Sequence, residues 1–305
     1  MNEQQLAQQI GQAVHEFVTV LNPLGSHFGS NRLFRVETTS GAHYVAKFPK
    51  PVREECSPFW QQMDAIFGIN CVTQLSALPA VVAPLRQQSM LAVPEVIYTE
   101  RGNADGTEPY GLVTYLPGTS YEPDLFPAGE GLHEQLGQYV GFLHTHAYPG
   151  YGNLLMPSLR PQADFFDVVV RQMRRVITTF WQDATRLHHY LDQIIAATDP
   201  AAIYGQAALI MTDISGNQFV YGDDRIAGVV DLDAYVIGPR EWELTILEMC
   251  ITEPAAFRRG YECYLPLPSF APFRNFYRLW SYLCDPEEVD GERFAQFMQQ
   301  SIHFA

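Results

Sequence analysis

The sequence predicts an α+β fold in two parts: a small antiparallel sheet within residues 1–116 and a larger, mainly helical part over 117–305. Three observations carry this expectation. Strand-like runs at Leu33–Thr38, His43–Phe48 and Tyr110–Leu116 crowd the first part, with turn residues such as Ser40-Gly41 between them. Apolar residues at helical spacing dominate the second part, at Leu132–His146 and through 162–196. An apolar run at Ala207–Met211 then opens a hairpin with acidic residues at its mouth. With 305 residues and 47% hydrophobic content, the chain can bury a large core.

Residues 3–21 place Leu6, Ile10, Val14, Phe17, Val18 and Leu21 on one helical face, and Pro23-Leu24-Gly25 ends the pattern. Gly25, Gly29 and Ser30 precede the strand Leu33–Thr38. Glycine there lets backbone N–H groups approach an anion closely. The returning strand His43–Phe48 carries Lys47, and the chain's 19 basic side chains include only two lysines, Lys47 and Lys50. Ser57-Pro58 has the N-cap and first-turn pattern of a helix that runs to Leu78 with a break at Gly68. Ala92–Ile97 reads as a strand, Arg101–Glu108 as a polar turn, and Tyr110–Gly118 as an apolar strand closed by Pro-Gly.

Beyond it, helices are expected at Leu132–His146, within 162–196, at Glu241–Cys250 and after Asp285-Pro286, with an aromatic-rich Tyr261–Leu283 before the last. His144 and His146 stand two apart on a helix and point to different sides, so packing or surface roles are expected of them.

The stretch Leu209–Leu244 concentrates the chemistry. Asp213 follows the apolar run, and Asn217 comes four residues later, ahead of the strand Phe219–Tyr221. Gly222-Asp223-Asp224-Arg225 is a hairpin turn, and Ile226–Val230 returns to Asp231 and Asp233. One hairpin thus gathers carboxylates and an amide at a single mouth. Such oxygen donors suit a hard divalent cation, and Mg²⁺ typically takes one or two carboxylates plus substrate phosphates.

The order Asp213, Asn217, hairpin, Asp231, followed by Gly-Pro-Arg-Glu-Trp-Glu-Leu, resembles the aminoglycoside-phosphotransferase and choline/fructosamine-kinase-like family, which has a protein-kinase-like fold. The resemblance covers roughly 25–285 and includes Tyr44-Val45-Ala46-Lys47, Leu112–Gly118 and Leu136–Gly152. It implies a small-molecule kinase that transfers the ATP γ-phosphoryl group to a hydroxyl of an amino sugar, amino alcohol or similar metabolite. Asp213 would be the catalytic base, and Asn217 and Asp231 would hold Mg²⁺. Gly29, Ser30 and Asn31 would cover the phosphates, which Lys47 would clamp. Backbone groups from Thr114 to Leu116 would meet the adenine. Glu243 would brace the catalytic loop.

The sequence departs from the family pattern at three places. Met211-Thr212 replaces His-Gly before the Asp, and Asn217 follows Asp213 by four residues where the family has five. The acidic partner of the lysine is also unassigned: Asp64 and Gln74 are candidates, and Glu54 and Glu55 come early. These departures leave a nucleotide-binding pseudokinase as the alternative function.

The net charge of −15 argues against nucleic acid or an anionic membrane as partner. Residues 1–116 carry 7 basic and 10 acidic side chains, net −3, against 12 and 24, net −12, in the remainder. A solvated acidic surface accounts for that imbalance more readily than a cationic substrate in the second part. Five cysteines with no CxxC, no secretory leader and no membrane-length apolar run lead to an expected cytoplasmic protein. Oligomeric state has no signature.

Overall fold

The computed structural model describes residues 2–24, 30–50, 57–70, 72–88, 90–102, 108–121, 125–181, 184–284, 291–300 and 302–304. The first helix, α1 (Glu3–Val14), begins with a capping box in which Asn2 and Gln5 satisfy each other's backbone N–H groups. It ends sooner than the apolar spacing suggests. His15 turns left-handed at φ 58°, and the β-branched Val18-Thr19-Val20 run extends instead as β1 (Val18–Leu24). Pairing with β2 (Asn31–Thr38) outweighs the helical period there, so Phe17, Val18 and Leu21 leave the expected helix.

β3 (His43–Pro49), β4 (Val96–Glu100) and β5 (Tyr110–Thr114) complete an antiparallel sheet of order β1-β2-β3-β5-β4. The fourth strand starts four residues later than Ala92, because Ala92 bridges instead to Gly228 on the hairpin that follows Asp213. Alternation along β2 and β3 sends Phe34, Val36, Ala46 and Phe48 to one face, where they pack with Leu6 and Ile10 of α1. The opposite face carries Leu33, Val45 and Lys47 and looks into a cleft.

The helix expected after Ser57 is broken at Gly68, left-handed at φ 71°, into α2 (Pro58–Phe67) and α3 (Thr73–Gln88), which runs on past Leu78. Then follow α4 (Glu130–His144), the short β6 (Gly150–Tyr151) and β7 (Arg160–Pro161), and α5 (Phe165–Phe180) with α6 (Ala184–Ala197). Three strands come next: β8 (Ala207–Met211), β9 (Phe219–Gly222) and β10 (Arg225–Val229). Asp223 and Asp224 take φ 53° and 56° in the β9–β10 turn, the consecutive left-handed pair a tight hairpin needs.

β11 (Tyr235–Pro239) pairs antiparallel with β8, and sequence pattern alone had not separated it from the loop before the next helix. Four helices follow: α7 (Arg240–Cys250), α8 (Pro254–Glu262), α9 (Arg274–Cys284) and α10 (Gly291–Met298). The Asp285-Pro286 cap expected before the last helix lies outside the described residues. α4 and α8 meet backbone to backbone, since a Cβ on Gly137 would stand 2.1 Å from the Phe257 carbonyl oxygen. Trp242 and Trp280 stack at 3.8 Å between ring centroids in the core beneath the hairpin. The molecule is a two-lobed protein-kinase-like fold, with a small antiparallel sheet over a larger, mainly helical lobe.

Candidate active site

One wall of the cleft is the inner face of the sheet. Lys47 lies opposite Leu33 on β2 and Gly111 on β5, only 5% exposed. Its ammonium donates to the Asp231 carboxylate and, at 2.8 Å, to Asp233 Oδ1. Asn31 Nδ2 donates to the other Asp233 oxygen at 2.7 Å. Among the described residues Lys47 pairs with neither Asp64 nor Gln74, so the expected partner on the helix after Ser57 is replaced by acids from the hairpin. Asp64 is exposed and accepts from Asn70 instead. Glu54 and Glu55 lie outside the described residues, as does Gly29. Ser30 is held by Trp60 Nε1, which donates to its hydroxyl at 2.8 Å.

The other wall is the hairpin, and its base is braced from below. Glu243 Oε1 accepts the Met211 N–H at 2.7 Å, while Oε2 lies 2.6 Å from His144 Nε2. His144 Nδ1 in turn lies 3.0 Å from the Tyr261 hydroxyl, so this histidine is a buried packing residue. Thr212 stands where the resemblance expects glycine, and its N–H and hydroxyl both donate to the Ala234 carbonyl. That bond fastens the strand before Asp213 to the turn after Asp231.

Asp213 is half-buried, and Gln218 Nε2 donates to its Oδ2 at 3.3 Å. Its Oδ1 is buried and meets no donor among the described residues. Burial raises the Asp213 carboxyl well above the ordinary range, and the charges of Asp231 and Asp233 push the same way. Burial alone would lower the Lys47 ammonium, yet Asp231 and Asp233 outweigh it and hold Lys47 above its usual value. Asp233 is raised by burial, and Lys47 opposes that shift.

Asn217 is exposed at the cleft, and its Oδ1 accepts from the Ser215 hydroxyl at 2.6 Å. Gln218, not singled out from sequence, is buried with an Oε1 that has no donor among the described residues. It stands five residues after Asp213, the spacing the family uses for its amide, and that count was the available signal.

Asp231, Asn217, Gln218 and Lys47 share one cavity of about 350 Å³ with the apolar Leu24, Leu33, Val45 and Val113. Thr114 and Leu116 line its far end. There Thr114 N donates to Glu95 O at 2.9 Å and Tyr115 N to His43 O at 3.1 Å. Among the described residues the Leu116 N–H has no backbone acceptor.

A model of the phosphotransferase enzyme family (APH) matches residues 23–265. The chain belongs to that family. The family's solved structures share its fold at low identity. A candidate fructosamine-3-kinase from Thermobifida fusca YX-ER1 is 17% identical, with 97% of each chain covered and a TM-score of 0.62. The macrolide 2'-phosphotransferase MphH from Brachybacterium faecium is 15% identical over 98% of this chain and 99% of its own, with a TM-score of 0.62. The streptomycin–ATP ternary complex of APH(2")-IIa is 14% identical over 96% and 94%, with a TM-score of 0.64. Among curated proteins, no sequence matches.

The donor set fits a hard divalent cation. Asp231 offers a partly exposed carboxylate, Asn217 an exposed amide, and Gln218 Oε1 a buried oxygen that meets no donor among the described residues.

Proposed function

We propose that this phosphotransferase-family chain is a small-molecule kinase, transferring the γ-phosphoryl group of ATP to a hydroxyl of an amino sugar, amino alcohol or similar metabolite. The observation that carries the proposal is the pairing of Lys47 with Asp231 in a cleft that Asn217, Gln218, Thr114 and Leu116 also line, with Asp213 near enough for the charges of Asp231 and Asp233 to raise it. Thr114 and Leu116 would receive the adenine, with Leu33, Val45 and Val113 around it. Ser30, Asn31 and Gly29 belong to the covering loop. Lys47, a compact ammonium on a slim stem, would clamp the phosphates.

Asp231 and Asn217 would hold Mg²⁺, with Gln218 Oε1 as a further oxygen beside them. When bound, the ion supplies neutralisation of the charge on the β- and γ-phosphates. Asp213 would accept the acceptor hydroxyl's proton, and its uncommitted Oδ1 is the atom suited to that task. The remaining catalysis is positioning and electrostatics.

The chain divides near residue 116 into a nucleotide-covering part and a catalytic and substrate part in this reading. A cytoplasmic setting, where ATP is at hand, belongs to it as well. The binding-only alternative is disfavoured by the names of the matched structures, which are those of kinases and phosphotransferases, and by the unspent Asp213 oxygen. The test is ATP turnover with Mg²⁺ across a panel of amino sugars, amino alcohols and ketosamines. Acceptor-dependent ADP release supports the kinase. Tight nucleotide binding without transfer to any acceptor supports the pseudokinase instead.

A further inference from the structure

Lys47 has two acidic partners, and they differ in what else they do. The Asp231 side chain is 39% exposed and faces the cavity, whereas the Asp233 side chain is 6% exposed. Both Asp233 oxygens are committed: Oδ1 accepts from Lys47 at 2.8 Å and Oδ2 from Asn31 at 2.7 Å. The turn that carries Asp233 is fastened by the two bonds from Thr212 to the Ala234 carbonyl. One buried carboxylate therefore ties together the first residue of β2, the lysine of β3 and the strand that delivers Asp213.

We propose that Asp233 is a positioning residue that holds Lys47 and Asn31 in place for the nucleotide phosphates, while Asp231 is the acid released from Lys47 to the cation. The proposal rests on the kinase reading of the cleft. A cation at Asp231 removes one of the two carboxylates that compensate the buried ammonium. With Asp233 still in place, Lys47 keeps a buried anion and a fixed direction. A lysine stem has four rotatable bonds, and anchoring its tip beforehand removes freedom that phosphate binding would otherwise have to freeze. Because Asp233 stands two residues from Asp231 in a fastened turn, one short segment sets both the lysine and the cation positions. Asp233 itself is not placed to ligate the cation, since donors already occupy both its oxygens.

The experiment measures ATP affinity by calorimetry, with and without Mg²⁺, for the wild type, Asp233→Asn, Asn31→Ala, Lys47→Met and Lys47→Met with Asp233→Asn. Melting curves confirm that each variant is folded. Asp233→Asn is nearly isosteric, and it is expected to weaken ATP binding roughly tenfold both with and without Mg²⁺. The Mg²⁺ concentration at half effect should stay at the wild-type value. Asn31→Ala, which spares the Lys47–Asp233 pair, should weaken binding roughly threefold, and it keeps the test open should Asp233→Asn not fold. In the Lys47→Met background, Asp233→Asn should add little, because the two act as one unit. Unchanged ATP affinity in both Asp233→Asn and Asn31→Ala overturns the proposal. So does full additivity with Lys47→Met, which makes the role of Asp233 merely structural. A raised Mg²⁺ half-effect in Asp233→Asn also overturns it and makes Asp233 a cation ligand. A wild type that binds no nucleotide overturns the kinase reading along with it, a result distinct from normal wild-type binding with an unaffected Asp233→Asn.

Discussion

Two buried clusters in this molecule pair carboxylates with cations, and they are finished differently. Glu248 in α7 is fully buried and accepts five hydrogen bonds: three from Arg274 and Arg278, two from the backbone N–H groups of His303 and Phe304. Its oxygens are saturated, and it staples the C-terminal segment to α7 and α9. The cluster of Lys47, Asp231, Asp233 and Asp213 is left incomplete. Asp213 Oδ1 and Gln218 Oε1 have no donor among the described residues, and Asp231 opens onto the cavity. A buried acid with every lone pair used contributes structure. Unspent oxygens beside a cavity are costly to keep, and the cost is offset where a ligand completes them.

The contrast gives variants with opposite signatures. Glu248→Ala takes the carboxylate from two buried arginines and leaves two backbone donors without it, so we expect a loss of about 3–5 kcal/mol in stability, read as a lowered denaturant midpoint. ATP affinity of the folded fraction should be unchanged, and a shift in affinity would blur the distinction between the clusters. Asp231→Ala should leave the protein folded and remove the Mg²⁺-dependent part of the nucleotide's stabilisation. Nucleotide at a hundredfold its Kd stabilises by about 2.7 kcal/mol in all, and thermal-shift titrations with and without Mg²⁺ read how much of that is lost.

A pH profile sharpens the same comparison. Asp213 must be ionised to act as a base, and burial with the charges of Asp231 and Asp233 raises its pKa. Activity should therefore fall as pH drops through a value above the ~3.9 of a free aspartate, and recover above it. Stability has the opposite sign: a raised carboxyl pKa adds stability below the unfolded value, which is lost as pH rises through the folded one. An acid limb in kcat at or below the free-aspartate value would contradict the burial argument. The smallest expected effect is at the rim. Asn217→Ala, exposed and bonded only to Ser215 among the described residues, should raise the Mg²⁺ half-effect less than Asp231→Ala does, and Gln218→Ala less again. An effect of Gln218→Ala larger than that of Asn217→Ala would give the amide role to Gln218.

Much of this was legible from residue pattern. The strand that carries Lys47 and the Asp-Asp hairpin turn follow from local chemistry, the brace from Glu243 from the family resemblance, and the structure has all three. What escaped was tertiary. β1 reads as a continuation of a helix because its apolar residues also fit a 3.6-residue period, and only β2 beside it decides the matter. The lysine's partner was sought on the following helix, but Asp233 reaches it from 186 residues away in sequence. Gln218 lies one residue beyond the Asn217 amide, and both the five-residue count from Asp213 and its burial set it apart from Asn217.

The central claim is that the incomplete cluster does chemistry at Asp213. Its most direct test is phosphoryl transfer by the wild type and by Asp213→Asn, with ATP affinity measured on the same preparations. Asn keeps the shape and removes the base, so the account predicts unchanged ATP affinity and transfer reduced by at least about a hundredfold. An Asp213→Asn variant that transfers phosphate at the wild-type rate would contradict it.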